Sequence, residues 1–326
     1  MARYILRRLV QLIPVLLGIS TMVFALLHLI PGDPAAIYLG EEATPTEIAR
    51  LHHVLGLDQP LLTQYGKFLL RLVRGDLGVS ITQNVPVGRL VLQHLPATME
   101  LAVTAMAIAL VIAVPLGVIA ATHKGSLIDL GSLALAQLGV SMPVFWLGML
   151  MITAFALKLH WLPTFGRGPA FTEAFAALVQ GNTGPTVATF KHIAMPALSL
   201  GFMAAALITR MVRSAMLEVL DQDYVRTARS KGIMEGRVVF RHALRNALLP
   251  VITIVALQFG ALLGGAVVTE SIFAWPGVGR LAVEAIGQRD FPVIQGTVLT
   301  LTLAFSLINL LVDLSYAYIN PRIRYK

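Results

Sequence analysis

Six stretches of this chain stay apolar for about the 20 residues that a helix needs to cross the hydrocarbon of a bilayer. They are Leu9–Ile30, Leu101–Ala121, Leu133–Leu157, Ile193–Thr209, Ala247–Val268 and Val293–Ile319. In lipid every backbone N–H and C=O needs an internal partner, so each run reads as a helix. Composition agrees: 56% of the 326 residues are hydrophobic and 13% are charged, against about 25% charged in a soluble domain. Leu9–Ile30 is too long for a signal peptide and lacks a small-residue cleavage site, so it counts as a span. The expectation is an all-α membrane protein with six transmembrane helices.

The net charge of +8 could point to nucleic acid, but its distribution points to topology. With both termini cytoplasmic, the inner segments carry fifteen Lys and Arg, eight of them from Arg210 to Arg245, against five acids. The outer segments carry ten basic residues and eleven acids. That asymmetry follows the positive-inside rule. No basic run interleaved with aromatics sits on a soluble surface, and nucleic acid is set aside. The chain has no cysteine, which excludes disulfides and thiolate metal sites.

The connection from Pro31 to about Glu100 is too long for a turn and reads as a small helical cap on the outer face. Pro31-Gly32-Asp33-Pro34 is a rigid turn. Thr44-Pro45-Thr46-Glu47 is a helix start, with Thr44 capping, and Leu51, Val54 and Leu55 give that helix an apolar face before Gly56. A second helix is expected from Leu61 to Val73, stopping at Gly75. His123-Lys124-Gly125-Ser126 is a brief turn between spans two and three. Pro115 and Pro143 lie inside spans and permit bends. Phe171–Val179 is too short to cross and is expected at the interface or buried.

The stretch with most to say about function is Asp221-Gln222-Asp223-Tyr224-Val225-Arg226-Thr227-Ala228-Arg229-Ser230-Lys231-Gly232. It reads as a short helix with Asp223 as N-cap, cations in the last turn, and Gly232 as a left-handed ending. Tyr224, Thr227, Ala228 and Lys231 follow the spacing of one face, where small residues let another surface approach. The run Arg226–Gly232, followed by Asn246-Ala247-Leu248-Leu249-Pro250, resembles the EAA loop of ABC importer permeases. Arg226 and Thr227 stand where the general pattern has Glu and Ala. That departure and the longer gap to Pro250 resemble the dipeptide, oligopeptide and nickel branch. So do Gly75-Asp76-Leu77-Gly78-Val79-Ser80, Phe273–Arg280 and Arg289–Gly296.

That resemblance implies the type I ABC importer permease fold, with a helical periplasmic insertion over 31–100 after the first helix. A single transmembrane domain would span 1–326, with residues 1–30 as tail and first span, and 101–326 as a core containing a coupling loop at 213–246. It implies a subunit in the bacterial inner membrane that moves di- or oligopeptides, with nickel, glutathione or another small solute as the alternative. The implied partners are a homologous second permease, two ATPase subunits or domains, and a solute-binding protein. ATP and Mg would be bound by the ATPases. Asp223, Tyr224, Thr227, Ala228, Lys231 and Gly232 are the residues that the resemblance assigns to ATPase coupling.

The residues themselves exclude some chemistry. None of the six lysines sits in a phosphate-binding loop, and the adjacent His52-His53 cannot share a helix face in a zinc motif. No catalytic or metal residue is expected, and no cofactor in this chain. A secondary transporter is disfavoured because the spans hold few carboxylates, and an intramembrane hydrolase because Asp313 has no acidic partner within the spans. His28 is expected to pack or hydrogen-bond at the interface, and Asp313 to pair with Arg322 or a neighbouring cation. Arg237, Arg241 and Arg245 share a helix face, suited to anionic lipid or to carboxylates of an ATPase. Gly260 and Gly264 fit a small-xxx-small packing pattern. Candidate pathway residues are Gln137, Ser141, Gln258, Thr300 and Asn309.

Overall fold

The computed structural model describes residues 2–29, 44–55 and 58–319. The Pro31–Pro34 turn, Gly56 and Arg322 lie outside the described residues. The side-chain surroundings of Leu51, Val54, Leu55, His28 and Asp313 are likewise not among those described.

The described secondary structure is helical, apart from one isolated bridge between Val79 and Pro86. The helices are α1 (Ala2–Leu29), α2 (Pro45–Leu55), α3 (Leu61–Val73), α4 (Val87–Thr122), α5 (Leu127–Ser141) and α6 (Val144–Lys158). After these come α7 (Phe171–Val179), α8 (Gly184–Leu220), α9 (Asp223–Ser230), α10 (Glu235–Ile272), α11 (Val278–Gln288) and α12 (Phe291–Ile319). Among the described residues α4, α8, α10 and α12 are each long and apolar enough to cross a membrane, and α5 with α6 forms a bent fifth candidate. Helix α1 contributes the apolar segment Val10–Ala25.

Local sequence accounts for several of these boundaries. At the start of α2 the Thr44 N–H and hydroxyl both donate to Glu47 Oε2, at 2.9 and 2.6 Å. The Glu47 N–H points back to Thr44 Oγ1 at 3.4 Å, which completes a capping box. Helix α3 has the expected limits. Helix α7 coincides with the short apolar piece Phe171–Val179, and the Ala170 N–H donates to Glu173 Oε2 at its start.

Leu133–Leu157 does not form one straight span. Helix α5 stops at Ser141, Met142 and Pro143 are extended, and α6 leaves at 103° to α5. Pro143 has no N–H to continue the ladder and pushes Met142 out of the helical region. Pro115 by contrast stays inside the continuous α4, so one of the two prolines expected to permit bends breaks its helix and the other is absorbed.

The chain resolves into two compact units. One holds Met1–Pro96 and Gly277–Leu310. Its core joins Val87, Leu90 and Val91 to Leu281, Ala285 and Val293. Here α12 comes so close to α4 that a side chain at Gly296 would collide with Val87. In the same unit Phe24 of α1 lies against Tyr65 and Phe68 of α3, at ring separations of 5.2 and 5.7 Å.

The second unit holds Ala97–Pro276 and the last turns of α12. Helix α8 is its axis: α5, α6, α7 and α10 all pack on it. Lipid is as apolar as leucine, so such helices associate through close packing rather than through burial from water. The packing is close at Gly201, where an added Cβ would lie 2.5 Å from the Ala105 carbonyl oxygen. Of the two glycines of the expected pattern in α10, Gly260 is buried and Gly264 faces open space, while its neighbour Gly265 is set against Leu200. Gly264 of the expected pattern therefore misses a close-packed position by one residue, whereas Gly260 is enclosed.

Candidate functional site

Helix α9 follows α8 after a two-residue break and is only eight residues long. Gln222, in extended conformation, is its N-cap, and Asp223 is the first helical residue. The expected cap is thus one residue too late. An acid at that first position still meets the positive end of the helix dipole. Lys231 is the C-cap. Gly232 follows at φ +72°, and a Cβ there would touch nothing. The left-handed ending is therefore a demand of the backbone alone.

The expected face divides in two. Tyr224, Thr227 and Lys231 are exposed, whereas Ala228 is buried. Ala228 joins Val225 and Val238 in a small apolar cluster, with Val219, Leu220 and Ile233 packed around it. The small residue thus serves close approach within this chain, between α9 and the first turns of α10. Val225, which the spacing left off the face, is the fully buried anchor of that cluster.

Two polar ties hold α9 in place. The Arg229 guanidinium grips Glu235, with Nη2 donating to Oε1 at 2.7 Å and Nε to Oε2 at 3.1 Å. Asn246 Nδ2 donates to the Tyr224 hydroxyl at 2.8 Å. Arg226 and Asp223 approach to 3.8 Å on the exposed side. Beside α9 the exposed surface carries Met234 and Phe240 together with Arg237, Arg241 and Arg245. The α10 backbone runs as a π-helix over Val238–Ala243. This is a polar, cationic surface interrupted by three large apolar side chains, Tyr224 among them.

Gln137 Nε2 donates to Ser141 Oγ at 3.3 Å on the exposed side of α5. Gln258, Thr300 and Asn309 are half-buried. Among the described residues no group of His, Asp or Glu is arranged to hold a metal ion.

Sequence reasoning missed four polar connections, all joining residues far apart in the chain. In the first unit Asp290, 1% exposed, accepts from the Ser80 hydroxyl at 2.5 Å and from the Thr82 hydroxyl and N–H at 2.9 and 3.1 Å. Burial pushes this carboxyl up, but the bonds from Ser80, Thr82 and the Ile81 N–H outweigh it and hold the pKa below its ordinary value. In the second unit Arg213 is forked onto both carboxylate oxygens of Asp129, and Arg167 Nε and Nη2 converge on Oε2 of Glu100. There too the fully buried Glu270 accepts from Thr98 at 2.7 Å. The available signal was Arg213 itself, a cation near an apolar run. Ser80 and Asp290 each lie in a stretch singled out from sequence, and nothing in either stretch announces the pairing.

Known proteins place this architecture. Residues 1–102 match the N-terminal pattern of the binding-protein-dependent transport system membrane component, and residues 113–325 match the inner membrane component itself. The chain belongs to the binding-protein-dependent transport system inner membrane component family. It is 46% identical to a dipeptide transport system permease protein of Alkalihalophilus pseudofirmus and 44% identical to that of Escherichia coli K12, each over 100% of both chains. A glutathione transport system permease protein of Escherichia coli O6:H1 is 42% identical over the same extent. The inward-facing MetNI methionine ABC transporter superposes with a TM-score of 0.55 at 18% identity, covering 71% of this chain and 96% of that one. The fold is that of a type I ABC importer permease, and the chain is a multi-pass inner-membrane transport subunit rather than an enzyme.

Proposed function

We propose that this chain carries di- and oligopeptides across the inner membrane, driven by ATP hydrolysis in partner subunits. The observation that carries this reading is end-to-end identity of 44–46% with dipeptide permeases of two separate bacteria. In this reading both termini are cytoplasmic, so α9 and the start of α10 face the ATPases. Two ATPase subunits or domains bind ATP and Mg, a second homologous permease completes the path, and a solute-binding protein delivers the cargo. The exposed Tyr224, Thr227, Lys231, Met234 and Phe240 form the docking surface. Buried Ala228 and left-handed Gly232 set its shape. Gln137, Ser141, Gln258 and Asn309 are the proposed pathway residues.

A glutathione importer is the second reading, favoured by the 42% full-length relative. Cells lacking this chain, complemented or not, should be given labelled dipeptide, glutathione and nickel in turn. Complementation is expected to restore dipeptide uptake. Restoration of glutathione or nickel uptake alone would replace the peptide assignment.

A further inference from the structure

Asp129 and Arg213 form the most closely organised ion pair of the second unit. Arg213 Nε donates to Oδ1 at 2.6 Å, and Nη2 to Oδ2 at 2.7 Å. The Gly125 N–H reaches Oδ2 at 2.9 Å, so the carboxylate also closes the turn before α5. The Asp129 side chain is 5% exposed and that of Arg213 is 21% exposed. A forked, largely buried pair of this kind fixes direction as well as distance.

Its position is what matters. Arg213 lies two turns before the end of α8, and α9 follows after Asp221 and Gln222. Asp129 lies in the first turn of α5. Ten residues further along α5, Gly139 seats on α8 so tightly that a Cβ would lie 2.8 Å from Ala206 Cβ. Residues 129 and 139 therefore meet 213 and 206 in antiparallel order, and α5 is fastened to α8 at both ends. Beyond the second fastening the chain breaks at Met142–Pro143, and α6 turns away at 103° to pack on α8 and α10. Gln137 and Ser141 sit on the last turns of α5, immediately before that break.

We infer that Asp129 and Arg213 are positioning residues that make α5 and α8 one lever, carrying displacement of α9 to the α5–α6 break. This rests on the proposed docking of α9 with an ATPase and adds the route by which that docking reaches the pathway residues. Helix α5 is about 22 Å long, long enough for a tilt imposed at Asp129 to shift Ser141 and Pro143. Without the pair, α8 still receives the motion, but α5 keeps only its packing through Ser132, Ala136 and Gly139 and loses the directional tie at its first turn. ATP hydrolysis then continues while transport fails.

The full importer, with its ATPases, second permease and binding protein, should be reconstituted in proteoliposomes. Solute transported per ATP hydrolysed is then measured for Asp129→Asn, Arg213→Gln, the neutral double variant and Asp129→Glu. The single variants and the double variant are expected to copurify with the ATPases and to lose at least fivefold in that ratio, with Asp129→Glu recovering most of it. The chain has no cysteine, so an Asp129→Cys/Arg213→Cys variant can be bridged by a short bifunctional thiol reagent. Bridging should restore a ratio that is low before treatment. This arm also separates lever from folding, since a complex that is assembled but uncoupled becomes coupled without new synthesis. A double variant with the wild-type ratio, or a bridged variant that stays uncoupled, overturns the inference. If wild-type chain fails to associate with the ATPases, the docking reading itself falls, and copurification identifies that outcome separately.

Discussion

The α9 segment and the Asp290 cluster are both short polar connections, and they are held in opposite ways. Helix α9 rests through its own Val225 and Ala228 on Val238, with Val219, Leu220 and Ile233 around them. Its ion pair to α10 is open to solvent, with Arg229 and Glu235 side chains 42% and 60% exposed. Exposed pairs of that kind contribute about 0–1 kcal/mol. Asp290 is closed off and receives hydroxyl and backbone donors from a loop 208 to 210 residues away. Bonds to a buried charge contribute about 1.5–3 kcal/mol each. Few buried apolar contacts and solvent-exposed ties are the marks of a segment that moves at low cost. The comparison separates a joint from a fastening: the first leaves surface free for a partner, and the second fixes a loop onto its own unit.

Removing the fastening should have the largest effect. Asp290→Ala removes the acceptor shared by the buried Ser80 hydroxyl and the Thr82 hydroxyl and N–H, at a cost of about 3 kcal/mol. Thermal unfolding in detergent, together with proteolysis near Gly75–Pro86, measures it. A loss under about 1 kcal/mol would mean that water takes over the carboxylate's role, and the contrast with α9 would shrink accordingly.

The same carboxylate predicts a pH dependence. Its pKa is lower folded than unfolded, so its contribution is complete above the ordinary Asp value near 4. It is lost as pH falls through the depressed folded value. Going below about pH 4, wild type should lose stability relative to Asp290→Asn, whose side chain does not titrate. Parallel pH profiles for the two proteins would remove the charge from the account.

Changes at the joint should be smaller in stability and larger in coupling. Ala228→Trp places a ring among Val225 and Val238, and overpacking of this kind costs about 1–3 kcal/mol. Gly232→Val meets no atoms, since nothing lies within 4 Å of a Cβ there. Its cost is the left-handed backbone alone, about 1–2 kcal/mol, made worse by β-branching. Both variants should enter the membrane and lose substrate-stimulated ATPase activity. Gly232→Asn, which tolerates positive φ, should keep most of it. Normal coupling in both bulky variants would reduce α9 to an ordinary loop.

Why one region was legible in the sequence and the other was not follows from range. Helix α9 is encoded by neighbours: its turn residues, its charges and its glycine stop lie within a dozen positions, and the helix appeared where they placed it. Even so, three- and four-residue spacing gives a face without saying what covers it. Ala228 was assigned outward, while its cover, Val238, arrives only after the chain has turned back. The bent α5–α6 span shows the same limit, because Pro143 marked a weak point and only packing onto α8 and α10 decides that it becomes a 103° break. Asp290 and Ser80, or Asp129 and Arg213, carry no local sign of each other. Hydropathy drew the apolar helices well because lipid imposes that rule residue by residue.

The smallest effect is the sharpest test of whether α9 works by shape or by charge. Lys231 is exposed at the C-cap, where a cation meets the negative end of a helix dipole worth about 0.3–1 kcal/mol. Lys231→Ala should therefore leave assembly intact and lower the transport rate less than either bulky variant, with an effect that fades as salt rises. Arg229→Ala should go slightly further, because it also frees Glu235, yet remain within about 1 kcal/mol. The measurement is transport and ATPase rate at low and high ionic strength for both variants beside Gly232→Val. If shape governs docking, the Gly232→Val defect is insensitive to salt while the two charge variants converge on wild type. If Lys231→Ala instead abolishes coupling at every salt concentration, the surface is read through a specific charge contact, and the apolar seat beneath it only holds that charge in place.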